Sequence, residues 1–467
     1  MTEVTTAAAP TSAPTKAPTA ILAIILISYF MVLLDNSVIF TGLPSIRDGL
    51  KMSPTALSWV QDAYTLVFGG LLLLGARAGD LLGRRRLFIG GLAVFGFASL
   101  MIGLSPAGWW MIAARAVQGV GAAIVAPTSL ALITEYFGGE ERKKAVAWYA
   151  ATAGIGASLG LLIGGALTQW VSWRAAFLIN VPIAVAMMIG SRAVLSETAR
   201  RPGRFDAVGA IAATLGVGAI VFAVIESAES GWSSPTVVTS LAIGLILLIA
   251  LIVNESRVPQ PIMPLRLFAN AERSGAYAIR VLYLGAMIGF FYFTTALLQD
   301  GFGFTALQAG LAFLPMTLVN FAVALMVPKL LRRFDNAAVL VVGVLVTLGG
   351  MFWLSRVGAD AGYWTAVAAP MVLIGIGQGL AFAPLTYAGI AGVSSADAGA
   401  ASGLLNTFHQ IGMAFGLGLL VTISAGAGDA VFERTEVALL GGTCLLALAL
   451  VVALFLSIRN RKRSVAP

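Results

Sequence analysis

The chain reads as an all-α membrane protein of fourteen transmembrane helices, and three observations predict it. Of its 467 residues, 59% are hydrophobic and only 11% are charged, where a soluble domain carries about a quarter charged residues. Apolar runs recur along the chain, each long enough to cross about 30 Å of hydrocarbon as a helix. The basic residues fall in short clusters between those runs, and most of the 29 Lys and Arg lie on alternate connections. That distribution puts both termini on the cytoplasmic side of a plasma membrane, in agreement with the positive-inside rule.

In order, the expected spans are 19–44, 54–77, 86–105, 108–134, 144–168, 173–195, 206–227, 235–254, 273–299, 305–328, 337–356, 363–389, 398–424 and 435–458. Residues 1–18, rich in Ala, Thr and Pro, read as a disordered tail. They lack a basic n-region and the following apolar stretch is long for a signal peptide, so it reads as an uncleaved first span. The organisation expected is a six-helix half over 19–195, a linker with two extra helices over 196–272, a second six-helix half over 273–458, and a basic tail over 459–467.

Several function classes drop out. A net charge of +8 and a pI near 9.8 could suit nucleic acid, but the basic clusters are topology signals, so no nucleic-acid partner is expected. The lone Cys444 permits no internal disulfide, and the lone His409 permits no multi-histidine metal site. No G-x-x-x-x-G-K-[ST] run is present to bind ATP phosphates. With one His and one Cys, no Ser–His–Asp set or Cys–His pair suggests an enzyme. No cofactor is expected.

The stretch "GARAGDLLGRRR" (75–86) lies in the turn between spans 2 and 3. Arg84, Arg85 and Arg86 can anchor it inside by pairing with lipid phosphates. Gly75, Gly79 and Gly83 repeat every four residues, a small-residue stripe that admits a close helix. A faint copy, "VPKLLRRFDNAAVLVVG" (327–343), occupies the equivalent turn between spans 10 and 11 and suggests internal duplication.

Further motifs fall on particular spans: "LDNSVIFTGLPSI" (34–46) on span 1, "RAVQGVGAA" (115–123) on span 4 and "GIGASLGLLIGG" (154–165) on span 5. With the 75–86 stretch, they resemble the major facilitator superfamily, specifically its 14-helix drug:proton antiporters, over essentially Thr19 to Ser457. The resemblance implies two six-helix halves that rock about a central cavity, with two extra central helices. It implies export of lipophilic small molecules, cationic ones included, driven by a proton gradient and carried out by a monomer in a bacterial plasma membrane. It also implies that Gly75, Asp80, Gly83 and Arg84 form a conformational latch. Asp80 would then cap the start of span 13, near Ala398. Asp35 takes the family's acidic first-span position, and Arg115, with Gln118, its intramembrane arginine position. One departure stands out: the antiporter motif has Pro after its middle Gly, where this chain has Leu161.

Each residue also has a plainer reading. Gly156, Gly160, Gly164 and Gly165 serve either ordinary close packing or an interface that slides between halves. Asp80 is either solvated loop or latch. Asp35, Asp62 and Arg115 lie inside spans, where an ionisable group costs about 2.5–3.5 kcal/mol on insertion scales. They form either a structural salt bridge or a coupling cluster. With both carboxylates ionised the three sum to −1, which leaves one site for a proton or a cationic substrate to neutralise. Asp35 is the expected proton site, and Asp62, with Gln118, the expected substrate contact. His409 is either a core histidine bonded to a carbonyl or a proton or substrate contact. Arg280 is expected to snorkel, and Glu226 and Asp300 to sit at the rim. Met287, Phe290, Phe291, Tyr292 and Phe293 form a band from which Phe291 could supply an aromatic wall. An exporter dedicated to one metabolite and a proton-coupled uptake symporter stay open beside the efflux reading.

Overall fold

The computed structural model describes residues 18–198, 206–393, 397–428 and 430–465. Within them the chain forms fourteen successive helices and no strand. The first half contains α1 (Pro18–Leu50), α2 (Pro54–Leu82), α3 (Arg84–Gly103), α4 (Gly108–Tyr136), α5 (Gly139–Trp170) and α6 (Trp173–Val194). The extra pair is α7 (Ala207–Ser230) and α8 (Pro235–Arg257). The second half contains α9 (Ala271–Gly301), α10 (Ala306–Leu330), α11 (Asn336–Leu354), α12 (Trp364–Gly389), α13 (Ala398–Ala425) and α14 (Val431–Val465). Thirteen are long and apolar enough to cross a membrane, and α5 carries an apolar run over Leu159–Trp170 within its 32 residues. The last helix runs on into the expected basic tail over 459–467, as far as Val465. The cluster of Arg200, Arg201 and Arg204, and the tail before Pro18, lie outside the described residues.

The helices start and stop where local chemistry dictates. Ser53 caps α2 by accepting the Ala56 N–H at 3.1 Å, with Pro54 in the first turn. Gly83 ends α2 and begins α3 with φ of 101°, a conformation glycine adopts without a Cβ penalty. Asp206 caps α7 through the Gly209 N–H at 2.8 Å, and Thr305 with Gln308 forms a capping box on α10. Because each helix reverses the one before, Pro18 and Val465 emerge at one end of the bundle. That end carries Arg84, Arg85 and Arg86, and we call it the basic end. The other end carries Arg47 and Asp300.

The two halves repeat the same packing. In the first, Gly156, Gly160 and Gly164 of α5 press on α1, where an added Cβ would fall 2.9 Å from Leu33 Cβ, 2.6 Å from Ser37 Cβ and 2.6 Å from the Val38 carbonyl oxygen, respectively. In the second, Gly412 and Gly416 of α13 press on α9, with added Cβ atoms 2.6 Å from Val281 and 2.1 Å from Gly285. Small residues let backbones meet this closely, and in a bilayer such contact replaces the missing hydrophobic driving force.

Two seams join the halves. On one, Gln410 and Gly403 of α13 meet Gly69 and Leu73 of α2, and the Thr407 hydroxyl donates to the Gly69 carbonyl at 3.1 Å. α7 covers this seam: Thr214 abuts Gly70, Val221 and Ile225 pack with Leu66 and Ala414, and the Thr422 hydroxyl donates to the Val224 carbonyl at 2.7 Å. α8 packs on α7, Gly244 against Gly216, and is otherwise largely exposed. On the other seam, α5 and α10 touch only near the end opposite the basic one. There Gly310 meets the Leu161 carbonyl, Gly165 meets the Ala306 carbonyl, and the Leu307 N–H donates to Gln169 at 3.2 Å. Toward the basic end both helices are bare, with Trp148 59% exposed on α5 and Leu325 65% exposed on α10.

Candidate functional site

The first-half charges meet at the middle of α1, α2 and α4. Arg115 Nη1 donates to Asp35 Oδ2 at 2.6 Å, and both side chains are fully buried. The other Asp35 oxygen accepts from Gln118 Nε2 and Asn180 Nδ2, each at 2.8 Å. Arg115 also donates to the Val60 carbonyl at 2.9 Å and to Gln118 Oε1 at 2.6 Å, and lies 4.2 Å over the Tyr64 ring. Gln118 donates further to the Ser99 hydroxyl at 2.8 Å. This network is self-contained. Gln118, expected at the substrate, stands behind Asp35 with its amide engaged.

Asp62 differs in kind. It is fully buried, and neither carboxylate oxygen has a hydrogen-bond partner. It stands one turn before Leu66, which packs with Ala414 of α13, so it lies on the face of α2 that meets the other half. The expectation made Asp35 the unpaired carboxylate; the geometry pairs Asp35 with Arg115 and leaves Asp62 alone. Arg115 finds Asp35 of α1 beside Gln118 of its own helix, and the Val60 carbonyl takes its Nε. An ionised carboxylate buried without a partner carries a large desolvation cost, which a proton or a cationic group removes.

Phe291 packs on Phe40 of α1 with ring centroids 5.5 Å apart, and on Phe313 of α10 at the same separation. It therefore forms an aromatic wall between the halves. Above it, toward the end opposite the basic one, a cavity of about 640 Å³ is lined by Leu43, Arg47, Tyr292, Asp300, Ser424 and Arg434, among others. Arg47 and Asp300 pair across it at 2.7 Å and link α1 to α9. Asp300, expected at a rim, is one side of this inter-half bridge.

At the basic end, Arg84 pairs with Asp80 at 2.9 Å and with Glu135 of α4 at 3.0 Å, and donates to the Ala131 carbonyl at 2.9 Å. The Glu197 carboxylate accepts the Arg85 and Arg86 N–H groups at 3.2 Å each, and the Thr198 hydroxyl accepts the Arg84 N–H at 3.0 Å. An anion at a helix N-terminus is favourable by about 0.3–1 kcal/mol. Gly75 packs on the Ala123 carbonyl of α4 in its own half, and the space beside Gly83 is taken by Glu197. Among the described residues Asp80 bonds only to Arg84. The start of α13 is instead held by Arg266 on Asp397 at 2.6 Å. The side chain of Ala398 lies outside the described residues.

The glycine motif of α5 divides between its two readings. Gly156, Gly160 and Gly164 pack within the first half, while Gly165 contacts the second. Leu161, where the family carries Pro, presents its backbone carbonyl to Gly310 at the same crossing.

Arg280 does not snorkel. Its side chain is buried, with its guanidinium 4.2 Å over the Phe382 ring and Nη2 at 3.1 Å from His409 Nδ1. His409 thus holds an arginine and not a backbone carbonyl. Asn180, Glu135, Glu197 and Phe382 were not singled out by the sequence reading. Asn180 carried a signal, as a polar residue flanked on both sides by apolar ones within a span; Phe382 carried none.

Two repeated six-helix halves, with a buried charge network in one and an unpaired carboxylate turned toward the other, define a two-half membrane transporter. The chain belongs to the Major Facilitator Superfamily, whose model matches residues 25–417. It is 40% identical over 407 residues to the cephamycin export protein CmcT of Amycolatopsis lactamdurans, covering 86% of this chain and 84% of that one. It is 39% identical over 413 residues to the puromycin resistance protein pur8 of Streptomyces alboniger, covering 87% and 82%. Among solved structures it resembles a peptide transporter crystallised with sulfate, with TM-score 0.72 at 15% identity, covering 96% of this chain and 97% of that one. A bacterial homologue of the lysosomal transporter Spinster gives TM-score 0.67 at 14% identity, covering 96% and 98%. These likenesses carry the fold.

Proposed function

We propose that the chain exports lipophilic small molecules of antibiotic type in exchange for protons, by alternating access between its halves. Export and resistance in the named relatives support the direction and the substrate class. The observation that carries the coupling is the buried, unpartnered carboxylate of Asp62. A proton and a cationic group of a substrate compete to neutralise it, so one arrives as the other leaves. Asp35 and Arg115 form the fixed pair that shapes this space, and Phe291 supplies an apolar wall. The Asp80–Arg84 pair braces the basic end, so Asp80→Asn should lower transport and leave ligand affinity in place. A narrower reading also has support, because the two relatives described are each named for a single antibiotic.

Accumulation of a panel of dyes and antibiotics in cells with and without the protein tests this reading. Accumulation should fall with the protein present, and collapsing the proton gradient should restore it. Equal accumulation in both strains for every compound contradicts export. The basic end belongs in the cytoplasm by the positive-inside rule. Cysteines placed at Gly138 and Gly231, both beside open space, should then label from opposite sides of the membrane of intact bacterial cells.

A further inference from the structure

The second half holds a charge that the first half's network does not answer. Within the spans of α9 to α14, away from their ends, Arg280 is the one formally charged side chain. No Asp or Glu lies between Glu272 and Asp300 on α9, or anywhere on α12, and α13 has none beyond its cap Asp397. Arg280 is only 3% exposed, and its Nε and Nη1 have no hydrogen-bond partner. Among the described residues its one polar partner is His409 Nδ1, which leaves it without a counter-charge. The Phe382 face attracts a cation, but a ring does not neutralise one.

Polar side chains share the faces of its two neighbours. Asn406 lies three residues before His409 on α13, hence on the same helical face, and it is exposed. Gln378, one turn before Phe382 on α12, is partly exposed, with its side-chain oxygen unpartnered. Arg280 sits nine residues into α9, about 14 Å from the basic end, and about 18 Å along the helix from Tyr292. A guanidinium presents paired N–H donors in a fixed fork that matches a carboxylate.

We propose that Arg280, seated on Phe382 and His409, is a carboxylate-binding subsite that captures lipophilic organic acids from the basic end. It names a substrate class for the export path and rests, for transport, on that reading. Molecules bearing both a carboxylate and a basic group would engage Arg280 and Asp62 in turn.

Binding of dansyl-leucine, a lipophilic acid, and of its methyl ester to the detergent-purified full chain tests the subsite. The wild type should bind the acid at least about tenfold more tightly than the ester, a difference of about 1.4 kcal/mol. Arg280→Gln should abolish that preference while leaving ester affinity in place. Arg280→Lys, which keeps the charge and loses the fork, should retain part of it. Equal binding of acid and ester by the wild type, no acid binding, or an undiminished preference in Arg280→Gln overturns the proposal. The wild-type comparison stands even if a variant fails to fold. Ethidium carries no carboxylate, so ethidium export without acid preference refutes the subsite alone. Acid preference without movement of either compound refutes the transport reading alone.

Discussion

Asp35 and Asp62 occupy neighbouring helices in the same half, and both are buried, yet their environments give them opposite roles. Asp35 is held by three donors from Arg115, Gln118 and Asn180, so its removal strands a buried guanidinium. Breaking such a pair costs about 3–5 kcal/mol. Asp35→Asn should therefore lower the thermal midpoint of the purified protein sharply, and Asp35→Asn with Arg115→Gln should recover part of the loss. A melting profile that Asp35→Asn leaves unmoved would contradict a structural pair. Asp62 has no partner to strand, and Asp62→Asn should melt at or above the wild-type temperature. The presence of both carboxylates and of Arg115 was legible in the sequence, because ionisable groups in apolar spans are conspicuous. Which carboxylate took the arginine was not. That depended on Asn180, 145 positions away in sequence, and on the rotation of α2, neither of which a linear pattern encodes.

Helix bounds were legible to within a few residues for most spans, because caps such as Ser53, Asp206 and Thr305 are local signals. Partner choice between helices was less so. Gly156, Gly160 and Gly164 of α5 read as one stripe and do face α1, but which helix each side meets was not readable, and the adjacent Gly165 faces α10. The counterpart glycines of α13, Gly412 and Gly416, sit in a stretch with too many small residues for any to stand out. The two groups should respond differently to substitution. Gly416→Ala drives a Cβ to 2.1 Å from the Gly285 backbone and should destabilise the fold by about 1–3 kcal/mol, the cost of overpacking, read as a lower melting temperature. Gly165→Ala would place its Cβ 2.5 Å from the Ala306 carbonyl across the seam. It should alter transport rate more than melting temperature, since the halves can part there without unfolding. The reverse ranking in paired melting and flux assays would contradict this assignment of faces.

Across the whole molecule the two seams are unequal. The α2–α13 seam is sealed along its length by α7, whereas α5 and α10 meet at one end and are bare at the other. The extra pair therefore divides its labour: α7 bridges the halves, and α8 shields α7. Spin labels at Trp148 and Leu325 should draw closer when the basic end shuts on substrate, and labels spanning Gly70 and Thr214 should hold their separation. The bridge between Arg47 and Asp300 closes the other end at 2.7 Å. Being partly exposed, it contributes on the order of 0–1 kcal/mol, so Asp300→Asn should shift the population between states by no more than a few-fold.

In the exchange proposed above, coupling joins these scales, because one buried carboxylate must meet the two openings in turn. The central claim is that Asp62 carries that proton while Asp35 does not. Uptake of ethidium into proteoliposomes, measured once against an imposed pH gradient and once as exchange at equal pH, separates driving from movement. Asp62→Asn should lose accumulation against the gradient, and the exchange it retains at equal pH should be slower, because the cation has lost its carboxylate. Gradient-driven accumulation by Asp62→Asn at the wild-type rate would contradict the account.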